Sequence, residues 1–248
     1  MHNRNVKLVI AYDGRCYHGW QRQKKHTTVQ GVLEDKISMM AGHPVTLLGS
    51  GRTDAGVHAI GQVANFKTSS SISPEAFKKG LNSLLPDDIR IQNAEDVPDD
   101  FHSRYDAKSK VYKYQILLSK ETDLFRRHYV WHIPWPLNLE KMKTSLSFLV
   151  GTHDFSSFRS AGSSNTNPVR DMKLAELSES GNEGIVRLVF EANGFLRHMV
   201  RNIVGTVVDV GSGKISVDKF KDICKSGDRR MSGIKAPAQG LFLVKVRY

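Results

Sequence analysis

Apolar positions along the first half of the chain switch repeatedly between a period of two and a period near 3.6. "VKLVIAYDG" (6–14) alternates like a strand, and "TVQGVLEDKISMMAG" (28–42) puts Val29, Leu33, Ile37 and Met40 on one helical face. "PVTLLGS" (44–50) and "GQVANFKT" (61–68) read as strands on either side of a glycine-rich stretch. "SPEAFKKGLNSLLP" (73–86) has Ser73 as a cap, Pro74 at the first helical position, and Phe77, Leu81, Leu84 and Leu85 on one stripe. "DIRIQNAEDV" (88–97) is extended again, so the order is β-α-β-β-α-β.

The second half repeats that order. "KVYKYQILLS" (110–119) is a strand, and "NLEKMKTSLSFLVG" (138–151) a helix with Leu139, Met142, Leu146 and Leu149 facing inward. "RDMKLAELSES" (170–180) and "GIVRLVFEAN" (184–193) are strands, and "FLRHMVRNIVGTVVDVG" (195–211) reads as a helix with a broad apolar face. A short helix (216–227) and a closing strand "GLFLVKVRY" (240–248) complete the chain. The pattern predicts an α+β fold of two ferredoxin-like halves with mainly antiparallel sheets, 1–105 and 106–248, dividing near Asp100–Ala107 after the acidic "EDVPDD"; the prediction rests on element order alone, which a single mixed sheet of different connectivity also fits.

Charge narrows the partner. The 248 residues hold 36 Lys and Arg against 25 Asp and Glu, a net charge of +11 spread along the chain, which favours a polyanion such as nucleic acid. Cys16 and Cys224 lie far apart and match neither a disulfide framework nor metal-ligand spacing, so a reducing compartment, the cytoplasm, is expected. No segment approaches the roughly 18 apolar residues of a membrane span, and "GSGKI" lacks the spacing of a phosphate-binding loop. Neither a metal nor an organic cofactor is expected.

The chemistry-bearing stretch is "GSGRTDAGVHA" (49–59), with one acid among small residues. If residues 52–54 are extended, Arg52 and Asp54 point to the same side, and a guanidinium beside a carboxylate favours its ionised form. That form suits a nucleophile or charge stabiliser at a sugar carbon and not a general acid. A turn in which Asp54 bonds amides near Gly56 explains the local pattern equally well. Tyr112 is either a half-buried strand aromatic or a stacking surface for a base. Arg197 and Arg201, four apart on the 195–211 helix, form a basic edge that reads first as a solvated face. The polar loop 155–171 is long enough to suggest a lid or an RNA clamp.

"GRTDAGVHA", "KVYKY", "FSSFR" and "FLRHMVRNIVG", in this order, together with "IAYDG", "YHGWQRQ" and "APAQGLFLVKVRY", resemble the tRNA pseudouridine synthase A family over essentially the whole chain. The resemblance implies isomerisation of uridines to pseudouridine in the anticodon arm of tRNA, at positions 38, 39 and 40, without metal or cofactor. It implies that Asp54 is the essential aspartate and Tyr112 the substrate-contacting tyrosine. Arg52 would hold the displaced nucleotide, Arg201 would lie in the catalytic cleft near Asp54, and His58 joins the substrate-binding set. It further implies a homodimer with each active site in a cleft between the two halves. Two other classes stand beside this reading: a non-catalytic RNA-binding module of two RRM-like sheets, against which the lack of an aromatic-rich strand counts, and an RNA hydrolase using Asp54 with His58, which lacks a second carboxylate.

Overall fold

A computed structural model of the protein describes residues 4–162, 167–180 and 184–248. It is an α+β structure in which most strand pairs are antiparallel. The chain forms two compact units, one of residues 4–108 with 242–248, the other of residues 109–241. The closing residues thus cluster with the first unit, whereas the pattern reading grouped them with the second half.

In the first unit, β1 (Arg4–Tyr12) lies between β3 (His58–Thr68) and β4 (Ile89–Val97), antiparallel to both. Its alternation is realised as expected: Val6, Leu8, Ile10 and Tyr12 all turn to the buried face. Helices α1 (Val29–Ala41) and α2 (Pro74–Leu84) contribute Val29, Leu33, Ile37, Phe77 and Leu81 to that core, with Phe66 and Phe77 edge to face at 5.4 Å. Both helices start on side-chain caps, Thr28 accepting from Gly31 N and Ser73 from Ala76 N. The final strand, β10 (Leu241–Arg247), pairs parallel to β3 through Phe242 and Leu243.

The stretch 44–50 departs from its expected form. Only β2 (Leu48–Gly49) joins the sheet, on β3. Upstream, side chains of α1 replace the ladder. Ser38 Oγ accepts from Val45 N at 2.9 Å, Glu34 Oε1 accepts from Leu47 N at 2.9 Å, and Gln30 Nε2 donates to Leu47 O at 2.9 Å. Val45 and Leu47 are buried all the same, because the backbone groups that a strand would have paired are satisfied by the helix.

In the second unit, β5 (Ser109–Leu118), β9 (Ile185–Ala192), β8 (Val169–Ser180) and β7 (Gly151–Asp154) follow one another antiparallel, and β6 (Trp131–Ile133) runs parallel to β5. Helices α3 (Leu139–Ser147), α4 (Met199–Gly211) and α5 (Val217–Ser226) supply the rest. Every residue of α4 is buried, its polar members included, and Thr206 among them is bonded on both sides: its Oγ1 donates to Asn202 O at 2.7 Å and accepts from Gly233 N.

Helix α4 begins four residues later than the pattern predicted. His198 has φ 60, the left-handed region that side chains rarely adopt, and this residue separates 195–197 from the helix. Arg197 and Arg201 therefore do not form a common helix edge. No helix of the described residues is long and apolar enough to cross a membrane. Cys224 is partly buried, and burial pushes its thiol up to about 12, so it is inert at neutral pH.

Candidate active site

Asp54 sits on a connection whose every bend is held from outside. Ser50, fully buried, donates from Oγ to Gln62 Oε1 at 2.7 Å and from its backbone to Val63 O at 2.7 Å. Thr53 turns inward, with Oγ1 2.8 Å from the hydroxyl of Tyr12, and its carbonyl accepts from Trp20 N at 3.1 Å. The register of β1 on β3 shifts between Ile10 and Tyr12, so that Tyr12 lies opposite Ala59 at the foot of this connection. Burial raises the Tyr12 hydroxyl well above its ordinary pKa, so it stays a neutral hydrogen-bonding partner for Thr53.

A four-residue turn follows, closed by Val57 N donating to the main-chain carbonyl of Asp54 at 3.1 Å, with Gly56 at φ 77. This turn is closed by the main chain of Asp54 and is not the side-chain turn of the sequence reading, so the carboxylate's chemistry is a separate question. The loop between β1 and α1 buttresses the turn. Gly19, at φ 85, lies so close to the Thr53 carbonyl and the Asp54 backbone that a Cβ there would collide with them. Gly14 meets the Val57 carbonyl in the same way. Asp54 itself is half-buried, placed on a turn with almost no room to shift.

The expected Arg52–Asp54 pair is not formed. With Thr53 anchored inward, Arg52 extends into solvent and makes no ion pair among the described residues. His58 is only 2% exposed, stacked on Phe242 with ring centroids 4.8 Å apart. Its Nδ1 lies 3.1 Å from Gly14 N and 3.2 Å from Asp13 Oδ1, accepting from the first or donating to the second according to its tautomer. Those contacts tie the start of β3 to the loop that buttresses Asp54.

In the second unit, Tyr112 lies on β5 opposite Phe190 of β9 and is 7% exposed, edge-on to Phe195 at 4.9 Å and 77°. Arg201, expected on a solvated face, is instead 8% exposed. Its Nε donates to Ala236 O at 2.8 Å while its carbonyl accepts from Ala236 N at 3.1 Å, so the helix and the 233–237 segment hold each other. Pro237 O in that segment accepts from the buried Tyr114 hydroxyl at 2.8 Å.

Asn202, which the sequence reading placed beside Arg197, His198 and Arg201 on a solvated polar edge, is instead an internal fastener. Fully buried, it donates from Nδ2 to Phe158 O at 2.8 Å and accepts at Oδ1 from Arg229 at 3.0 Å. Arg229 also donates to Ser232 and Gly233, and Ser157 donates to Ile223 O. The "FSSFR" motif, a 3-10 turn over Ser156–Phe158, is thereby fastened to α4 and α5. A polar residue inside the apolar run "VRNIVGTVV" was the available signal. Residues 163–166 of the loop for which a lid was expected lie outside the described residues.

The family model described as tRNA pseudouridine synthase matches residues 8–106 and 147–248. Arg52, Asp54 and His58 fall in the first matched segment, Arg201 in the second, and Tyr112 between them. The match, over most of the chain, places it in a class of RNA-modifying isomerases, the pseudouridine synthases. A protein of Thermoanaerobacter sp. (strain X514) named tRNA pseudouridine synthase A is 52% identical over 245 residues, covering 99% of this chain and 100% of its own. One from Acetivibrio thermocellus is 47% identical over the same shares, and one from Geobacillus sp. (strain WCH70) 42% identical over 99% of each chain. The chain belongs to the tRNA pseudouridine synthase A family.

Proposed function

We propose that this isomerase, which converts uridine to pseudouridine in tRNA, acts on the anticodon arm with Asp54 as its catalytic carboxylate. The observation that carries the reading is the immobilised turn: inside "GRTDAGVH", a half-buried carboxylate is presented on a backbone fixed by Tyr12, Trp20, Gly14 and Gly19. Isomerisation needs the N-glycosidic bond to break, the uracil to turn, and C5 to bond C1′. An ionised carboxylate serves either route, adding to C1′ or taking the C2′ proton to give a glycal. A uridine in a stem must first be flipped out, at a cost of a few kcal/mol, which phosphate contacts and stacking on Tyr112 offset. Arg52, solvent-extended beside the turn, is the group to hold the displaced nucleotide, and Arg201 is assigned to the substrate set with it. His58, by its burial, acts as a positioning residue.

The same reading takes each unit as ferredoxin-like. The first has the order β1-α1-β2-β3-α2-β4 with strands arranged β4-β1-β3-β2; the second has β5-α3-β8-β9-α4 with β6 and β7 added, its closing strand β10 clustering with the first unit. It also makes the protein a cytoplasmic homodimer. The experiment is to incubate the protein with an unmodified tRNA transcript and map pseudouridine by base-specific chemistry. Modification confined to the anticodon arm is expected, and modification elsewhere with none in that arm would refute the assignment. For Tyr112, Tyr112→Phe preserves the ring contact with Phe195, so the melting temperature stays within about 2 °C while turnover falls at least about tenfold. Unchanged turnover would return Tyr112 to a purely structural role.

A further inference from the structure

The loop between β1 and α1 has a second face that the buttressing of Asp54 does not use. We infer that its tip, Lys24 and Lys25, is a docking point for the RNA sugar-phosphate backbone, set at a fixed distance from the catalytic turn; this rests on the tRNA reading above.

Three observations lead there. First, the tip is exposed throughout 21–27, and its charges are unequal in their engagement. Arg22 is neutralised by Glu34 at 2.9 Å and Asp35 at 2.8 Å, whereas Lys24 and Lys25 form no ion pair among the described residues. No acidic residue occurs between Asp13 and Glu34, so the tip presents positive charge without internal compensation.

Second, the loop is built and not slack. His18 N donates to Thr27 O at 2.9 Å, Gln23 Nε2 donates to His18 O at 2.9 Å, and Gln23 and His26 form a bridge that closes the tip. The imidazoles of His18 and His26 stack at 4.1 Å and 20° across its base. Lysines kept only for solubility need no such frame, whereas a docking group gains from one, because less conformational freedom is lost on binding.

Third, the frame is continuous with the catalytic turn. Trp20 N donates to Thr53 O, Gly19 abuts the Asp54 backbone, and Val29 N and Gln30 N, at the start of α1, donate to Gly19 O and Trp20 O. The lysines are thus held on the same rigid element as Asp54. A phosphate seated on them sets the register of the strand whose flipped uridine meets the carboxylate.

The test uses the full-length protein, an unmodified tRNA transcript, and the double variant Lys24→Gln/Lys25→Gln, with Lys78→Gln/Lys79→Gln on α2 as a charge-matched control. For the tip variant, the slope of log affinity against log salt is expected to lessen by about one to two, and KM for tRNA to rise about tenfold at low salt with kcat unchanged. The control is expected to keep the parent's slope. A tip variant with the parent's slope and KM, or one no different from the control, overturns the inference. If the parent itself neither binds nor modifies tRNA, the functional reading fails instead, which separates the two.

Discussion

Asp54→Asn abolishes pseudouridine formation, by about a thousandfold or more, while tRNA affinity and folding stay near those of the parent. Asparagine is nearly isosteric, and the turn is closed by the residue's main-chain carbonyl, with its neighbours held by Tyr12 and Trp20, so the substitution leaves the scaffold intact. What it removes is the negative charge, and with it the nucleophilic and basic oxygen that the routes through C1′ and C2′ require. Tritium released from uracil C5 is the direct readout, because that hydrogen leaves when C5 bonds to the ribose. Activity within tenfold of the parent, with the protein folded and bound to tRNA, would remove Asp54 from the chemistry.

Gly205→Ala is expected to be the most damaging small substitution for folding. Alanine ordinarily favours a helix over glycine by about 1 kcal/mol, but a Cβ at 205 would overlap the carbonyl of Ile234, which is backbone and cannot rotate away. The neighbouring Gly233 is equally constrained, by Asp209 and the Thr206 backbone. Segment 233–237 would have to lift from α4, breaking the reciprocal Arg201–Ala236 bonds and the Gly233–Thr206 bond. A loss of about 3 kcal/mol follows, lowering the melting temperature by about 6–12 °C. A variant as stable as the parent would contradict the close approach of that segment.

The elements that alternate or repeat cleanly were legible from the chain. β1 shows its apolar face at every second residue, and α2 starts on the Ser73 cap that the pattern supplies. Asp54 stood out as a candidate, since an acid between glycines is a local signal, but the local pattern alone left it divided between a turn residue and a reactive carboxylate. What escaped depends on contacts distant in sequence. Residues 44–47 read as strand because Val45 and Leu47 are apolar, yet their backbone bonds go to Glu34 and Ser38 of a helix. The 195–211 run has helical periodicity, but a backbone angle at His198 interrupts it, and periodicity carries no information about φ.

Charged residues misled for a related reason. Arg52 and Asp54 have the spacing of a pair, but the inward anchor at Thr53 leaves the guanidinium in solvent. Arg201 has the look of a surface residue and is buried because Ala236, far along the chain, supplies both a donor and an acceptor. His58 stands in the motif as though to meet substrate, and its ring is covered by Phe242 of the final strand. In each case a partner on another element decides the side chain's role, and spacing along one segment cannot register it.

The central claim is that the chain rearranges a uridine without net loss of atoms. An intact-mass measurement on a single-site tRNA transcript, before and after reaction with the parent protein, tests it most directly. The account predicts an unchanged mass and chain length together with tritium release from C5 and one pseudouridine in the anticodon arm. A product lighter by the mass of one uracil less that of the water added, or a cleaved strand, would show hydrolysis at the glycosidic or phosphodiester bond and contradict it.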